Sequence, residues 1–332
     1  MLRVVYEGRR AIMSRRKNEL TYSELENIQG AVINHQYSFD ELMELHKDDC
    51  IIRNLRPHTI KFYQNELRAF KGTLYGLGID PNSTTINCTV VKRVIRDMQE
   101  AGIKATTINT RIRALKAFYS FCYRNGYIKS NPTKDIHSLK TRKPMIETFS
   151  VEQIESLLKA CDLRTFIGVR DYTILMLFID TGIRANELIG IRVEDVNLKE
   201  GTILIRNTKT YFERTVPIQK KMKDQLKKWL SIRGAAEDKE LFITLDGTAL
   251  SKRQVQTRVS VYGKKANITN VRCSPHTLRH TFAKMCVLNG ANVFQLQQIL
   301  GHTTLDMTKT YVNLFSKDVQ KGHNKFSPLN NI

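Results

Sequence analysis

Acidic residues are in short supply in this chain. Its 332 residues include 32 Asp and Glu against 53 Lys and Arg, a formal net charge of +21 at pH 7. That imbalance points to a polyanionic partner, because each cation close to a phosphate releases condensed counterions. Charge alone also admits a basic protein without such a partner, or one lying on an anionic membrane. No lipidation motif or basic amphipathic anchor stands out for the membrane reading. Paired cysteines are missing too. Cys50, Cys88, Cys122, Cys161, Cys273 and Cys286 are scattered, with no C-x-x-C pair, which reads as free thiols in a reducing cytoplasm. The opening Met-Leu-Arg-Val-Val-Tyr-Glu is soon charged and does not resemble a signal peptide. Met13 opens a second plausible start. The longest strongly apolar run, Thr173 to Ile179, is far too short to span a bilayer.

Several catalytic signatures are absent as well. There is no Walker loop or Gly-rich phosphate cradle, so no nucleotide cofactor is indicated. His276 and His280 have i,i+4 spacing with Cys273 and Cys286 nearby, but Thr277 and Leu278 follow His276, so there is no H-E-x-x-H and no metal is expected. His280 reads as a hydrogen-bonded structural histidine. No Ser-His-Asp arrangement is suggested by flanking residues.

The hydrophobic content, 41%, and the length suit two domains with full cores. Residues 1–37 are polar and basic and read as a loose N-terminal arm, with one short helix near Tyr22 to Gln29. A helical bundle is expected over 38–133. Ser38 and Glu41 have capping-box spacing. Ile60, Tyr63, Leu67, Phe70 and Leu74 form one helical face, as do Ile108, Ile112, Leu115, Phe118, Tyr119 and Cys122 before Gly126. A weaker helix runs from Thr89 to Ala101. The aromatic residues lie on these apolar stripes and read as core rather than base-stacking platforms. Lys61, Arg68, Arg111 and Arg113 lie off the stripes and are the candidate phosphate contacts. Asn131-Pro132 ends the bundle, and 134–147 reads as an interdomain linker, either a basic strap along the partner or a solvated connection.

A second domain is expected over 148–320, followed by a tail, 321–332. Ser150 and Gln153 have cap spacing, an apolar helix covers Arg170 to Asp180, and Gly182 stops it. Thr202 to Arg206 and Arg214 to Ile218 predict a β-hairpin with Lys209 at its turn. Ile218, Met222, Leu226, Trp229 and Leu230 predict a helix, and two more carry His276 to Leu288 and Asn292 to Leu300, with Gly301 as a C-cap.

Six residues of this second domain suit one chemistry. They are Arg184 in Thr-Gly-Ile-Arg-Ala-Asn-Glu-Leu, Lys209 in Asn-Thr-Lys-Thr, and His276 and Arg279 in His-Thr-Leu-Arg-His-Thr-Phe-Ala. His302 in Leu-Gly-His and Tyr311 in Thr-Lys-Thr-Tyr complete the set. A phosphodiester repels nucleophiles and has a poor leaving group. A metal-free site must therefore offer fixed cations, a nucleophile and a proton donor. Two arginines can fork onto non-bridging oxygens, and a tyrosine can attack phosphorus. Taken singly, each residue has a plainer reading: Arg184 could pair with Glu187 or Asp195, and Tyr311 could be a half-buried aromatic.

In order, spacing and flanks the six resemble the tyrosine recombinases, the family of phage integrases and chromosome-dimer resolvases, over roughly residues 50 to 320. The resemblance implies a mostly α fold with a small β-hairpin or sheet, a helical core-binding domain and a catalytic domain clamping double-stranded DNA. It implies Arg184, Lys209, His276, Arg279, His302 and Tyr311 as catalytic residues, with Lys209 protonating the departing 5′ oxygen, His276 assisting the tyrosine and His302 donating to the phosphate. It further implies a 3′-phosphotyrosine intermediate, no cofactor, a homotetramer on two DNA sites, and accessory DNA-binding proteins as possible partners. A DNA-binding regulator on the same fold, and a type IB topoisomerase, are the rival readings. Trapping of a covalent DNA adduct separates the first from an enzyme, and strand transfer between two sites separates the second from a recombinase.

Overall fold

The computed structural model describes residues 37–82, 86–141, 146–206, 213–305, 308 and 311. They fall into two units, divided between Lys143 and Pro144.

The described residues of the first unit form a four-helix assembly: α1 (Phe39–Ile52), α2 (Pro57–Gly76), α3 (Cys88–Glu100) and α4 (Ala105–Arg124). Local chemistry sets where each begins. The Ser38 hydroxyl accepts from the Glu41 amide while the Glu41 carboxylate accepts from the Ser38 amide, satisfying two otherwise orphaned donors. Pro57, with no N–H to waste, occupies the first turn of α2. The Asn87 side-chain Oδ1 accepts from the Thr89 and Val90 amides and caps α3. The stripes close on one another: Phe39 and Leu42 of α1, Leu67, Phe70 and Leu74 of α2, Val91, Val94 and Met98 of α3, and Ile108, Ile112, Leu115, Phe118 and Cys122 of α4 form a single core. Each such side chain contributes about 1.5–3 kcal/mol on leaving water. Phe39 meets Phe118 with centroids 5.2 Å apart, so these aromatics are interior. The stretch expected as a linker begins as part of this unit. Ile136 is buried in its core, and the Asn109 amide holds the Leu139 backbone at both its N–H (2.7 Å) and its C=O (2.9 Å). Two apolar residues among polar ones carry no period, so only the groove beside α4 reveals their place.

The second unit contains α5 (Val151–Lys159), α6 (Phe166–Thr181), the single turn α7 (Ala185–Leu188), α8 (Lys220–Arg233), α9 (Lys252–Lys265), α10 (Pro275–Leu288) and α11 (Val293–Leu300). A three-stranded antiparallel sheet of β1 (Val196–Asn197), β2 (Thr202–Ile205) and β3 (Arg214–Pro217) runs in the order β1-β2-β3, with Ile203 opposite Val216. The expected hairpin therefore gains a third, two-residue strand too short to announce itself by alternation. Helix α9 was also not expected: only Val255, Val259 and Tyr262 mark its buried side, among lysines, arginines and glutamines. The core packs α6, α8 and the sheet around Leu177, Phe178, Ile203, Val216, Leu226 and Trp229, whose indole N–H donates to the Leu241 carbonyl at 2.9 Å. A smaller cluster, Phe282, Ala283, Leu296, Leu300 and Tyr311, joins α10 to α11 and to Tyr311.

Candidate active site

Two helix ends and their glycines create the site. Helix α6 stops at Gly182, whose φ of 59° is the left-handed conformation that glycine adopts without strain. That reversal places Arg184 at the N-cap of α7, where Glu187 folds back on it. The carboxylate accepts from the Arg184 amide at 2.9 Å and from Nη1 at 2.8 Å. Helix α11 stops in the same way at Gly301, φ 61°, and leaves its last carbonyls without helical partners. Three arginines supply them. Arg214 Nε donates to Ile299 O (3.1 Å). Leu300 O receives Arg184 Nη1 (3.2 Å) and Arg279 Nη2 (2.8 Å), and Gly301 O receives Arg184 Nη2 (3.2 Å). Arg279 Nη1 also donates to Gly182 O at 2.7 Å. The negative end of the α11 dipole thus gathers cations from three other elements.

The charges do not balance. Glu187, fully buried, accepts from Arg184 and, through both oxygens, from Arg214 at 3.0 and 2.8 Å. Burial works to raise its pKa. The hydrogen bonds and charge of Arg214, then those of Arg184, outweigh it and hold the carboxyl below its ordinary value. Arg279 is 4% exposed, and among the described residues its hydrogen bonds reach two carbonyls and an imidazole, none a carboxylate. Burial, then the neighbouring Arg184, lowers its pKa to about 9, so it stays charged at neutral pH. A buried cation without its own carboxylate costs on the order of several kcal/mol unless an anion arrives to pair with it.

Around this surplus charge stand three histidines and a tyrosine. His302 is buried, with Nε2 at 2.9 Å from Arg279 Nη2 and Nδ1 at 2.9 Å from Thr308 Oγ1. Arginine can only donate, so His302 Nε2 accepts and its proton lies on Nδ1, facing Thr308. Burial, then Arg279 and Arg184, pushes the His302 pKa down to about 4. The His302 ring stacks against Tyr311, centroids 6.2 Å apart and planes 9° from parallel. Tyr311 is 5% exposed. Burial raises its pKa, while Arg279 and Arg184 work against the rise. Its hydroxyl lies 2.7 Å from His280 Nδ1. His276, four residues earlier on α10, is exposed. Its packing, then Arg279, Lys252, Arg184 and Arg272, lowers its pKa.

Of the six residues singled out in the sequence, Arg184, Arg279, His302 and Tyr311 are thus in one connected network, with His276 at its rim. Lys209 lies outside the described residues. Two members escaped the sequence reading. Arg214 shares the inward face of β3 with buried Val216, and a charge on that face was the available signal. His280 was read as structural, yet it touches the tyrosine hydroxyl. In the first unit Lys61, Arg68 and Arg113 are exposed, whereas Arg111 is half-buried with its Nε 3.2 Å from Glu66. Among the described residues no group of three or more His, Cys, Asp or Glu side chains could hold a metal ion. No described helix is long and apolar enough to cross a membrane.

Known proteins resemble this chain. The model of the Phage integrase family matches residues 147–317, and that of the phage integrase N-terminal SAM-like domain matches residues 50–126. Tyrosine recombinase XerC of Thermodesulfovibrio yellowstonii is 33% identical over 280 residues, covering 82% of this chain and 91% of the relative. XerC of Oceanobacillus iheyensis is 29% identical over 288 residues, covering 85% and 93%. Among solved structures, XerH site-specific recombinase bound to a palindromic difH substrate superimposes with a TM-score of 0.69 at 20% identity, covering 90% of this chain and 92% of that one. A lambda integrase dimer bound to a COC′ core site gives 0.68 at 16%, covering 82% and 97%. At those identities the two structures speak for the fold. The family match over the catalytic half, joined to a relative one-third identical along nine-tenths of its own length, makes this chain a member of the phage integrase family of tyrosine recombinases.

Proposed function

We propose that this recombinase cleaves and rejoins double-stranded DNA at specific sites through a 3′-phosphotyrosine formed on Tyr311. The observation that carries the reading is the buried Arg279, a cation without a carboxylate of its own among the described residues, in one network with Arg184, His302 and Tyr311. A phosphodiester supplies the missing anion. Arg184 and Arg279 hold its non-bridging oxygens and bind the five-coordinate transition state more tightly than the ground state. Tyr311 Oη attacks phosphorus and the 5′ oxygen departs with a proton from Lys209. His276 assists at the tyrosine. His302 donates to the phosphate, for which its Nε2 must leave Arg279 and carry the ring proton that faces Thr308 from Nδ1. The phosphotyrosine keeps the energy of the broken bond, so religation needs no nucleotide, and the chemistry calls for no metal or other cofactor.

Residues 38–133 form the core-binding domain, 148–320 the catalytic domain, and both close on the duplex. Lys61, Arg68, Arg111 and Arg113 reach its phosphates, Arg111 by giving up Glu66. Four protomers assemble on two DNA sites and exchange one pair of strands and then the other, with accessory DNA-binding proteins as partners, in the cytoplasm. The test is a nicked suicide substrate, paired with strand transfer between two sites. Wild type is expected to yield a covalent adduct and recombinant product, and Tyr311→Phe to bind DNA without an adduct. An adduct of normal yield from Tyr311→Phe would remove Tyr311 as nucleophile. Adduct without strand transfer would indicate a topoisomerase.

A further inference from the structure

We propose that His280 is a catalytic residue, the group that takes the proton from Tyr311 Oη as the tyrosine attacks and returns it when the DNA strand is rejoined. The proposal rests on the reading of Tyr311 as nucleophile. Its ground is a contact at the reacting atom itself, the 2.7 Å separation of His280 Nδ1 from Tyr311 Oη. The two rings lie 5.6 Å apart and tilted by 49°, which brings the edge of the imidazole to the hydroxyl. Tyr311 is buried, and no other described histidine offers its hydroxyl a nitrogen. His302 presents its ring face to Tyr311, with its nitrogens committed to Arg279 and Thr308. His276 is exposed at the rim, so the proton-accepting part of the help at the tyrosine that the resemblance gives to His276 is placed here on His280.

The proton balance closes. Burial raises the Tyr311 pKa, so the phenol is protonated before attack and cannot act without an acceptor. Burial, then His276 and Arg279, lowers the His280 pKa below the ordinary 6.5, so the imidazole is neutral at neutral pH, and its Nε2–H tautomer places a lone pair on Nδ1 toward the hydroxyl. In cleavage the Oη–P bond forms, the Oη proton passes to Nδ1, and the P–O5′ bond breaks, its oxygen protonated by the general acid. In rejoining the 5′ hydroxyl returns its proton to the general acid as its oxygen attacks phosphorus, the Oη–P bond breaks, and Nδ1 returns its proton to the phenol oxygen. The charged and titratable groups facing the pair are His276 and Arg279 from α10, Arg184 from the turn after α6, and His302 beyond α11. Arg279 and a protonated His276 both oppose a charged His280, which favours prompt return of the proton.

The experiment uses the full chain and a suicide DNA substrate, with tyrosine or 3,5-difluorotyrosine at position 311. The fluorinated phenol ionises near neutral pH and needs no acceptor. His280→Ala should slow adduct formation about a hundredfold or more, in the range typical of a lost general base, and fluorotyrosine should restore most of that loss. His280→Asn can still hydrogen-bond the hydroxyl but cannot take its proton. It should be as slow as His280→Ala, be rescued in the same way, and bind DNA and melt like wild type, which keeps the test valid if the alanine variant folds poorly. Wild type with fluorotyrosine should lose the acid-side fall in rate that His280 protonation causes. Near-normal cleavage by His280→Asn would show that His280 only orients the tyrosine, and failure of fluorotyrosine to rescue either variant would overturn the proton-transfer role. Both results differ from failure of the underlying reading, which would appear as an adduct formed by Tyr311→Phe.

Discussion

Single side chains here are explained by the neighbours that leave them unsatisfied. Arg279 is held by carbonyls that cannot neutralise it, whereas Arg214, equally drawn to the end of α11, is neutralised by both oxygens of Glu187. Under the proposed function Arg279 serves the substrate, and Arg214 the scaffold that holds Arg184. Arg279→Ala is expected to slow cleavage on a suicide substrate by two to three orders of magnitude, about 3–4 kcal/mol of transition-state stabilisation. DNA binding should fall far less, because many other phosphate contacts remain. Equal losses in binding and cleavage would make Arg279 an ordinary phosphate anchor. Arg184 and Arg279 were legible in the sequence because their motifs are specific. Arg214 and His280 were not, because their significance lies in a carboxylate 27 residues and a hydroxyl 31 residues away along the chain.

At the level of elements, the working parts are helix ends. The C-terminus of α6 and the C-terminus of α11 each end in a left-handed glycine and each offer a carbonyl to Arg279. Gly182 is under two constraints at once. Its φ of 59° suits glycine, and a Cβ there would stand 2.2 Å from the ring of Phe282, which packs with Tyr311. Gly182→Ala is expected to cost about 1–2 kcal/mol from the backbone conformation alone. Displacement of Phe282 should add to that and reduce cleavage beyond the loss of folded protein. Urea unfolding and adduct yield on the same preparation check this, and an unchanged midpoint with full adduct yield would contradict it. The caps at Ser38, Ser150 and Gly301 were readable because capping is a contact between residues a few positions apart. Strand β1 and helix α9 were not, since two residues cannot show alternation and three buried residues among lysines and arginines hardly show a stripe.

On the scale of the whole molecule, the chain holds two units with separate cores, and the catalytic candidates described here all belong to the second. A fragment from Pro144 to Ile332 is expected to fold alone, since its core draws only on its own elements. It should bind DNA more weakly and with a shallower dependence on salt than the full chain, because fewer phosphates are contacted and the first unit no longer raises its effective concentration. Salt titrations of both proteins measure this, and identical slopes would mean that the first unit contacts no phosphates. By itself the sequence determined the mostly helical class, the two cores, most element positions and the family, because period, caps and motifs are local and survive translation into a list of residues. The tertiary structure alone decided that the carbonyls at the end of α11 collect three arginines, that Arg279 is left without a carboxylate among the described residues, and that His280 rather than His276 meets the tyrosine hydroxyl. Periodicity states which face of a helix is buried and is silent on what it is buried against. A site assembled from four separated segments depends on that second fact.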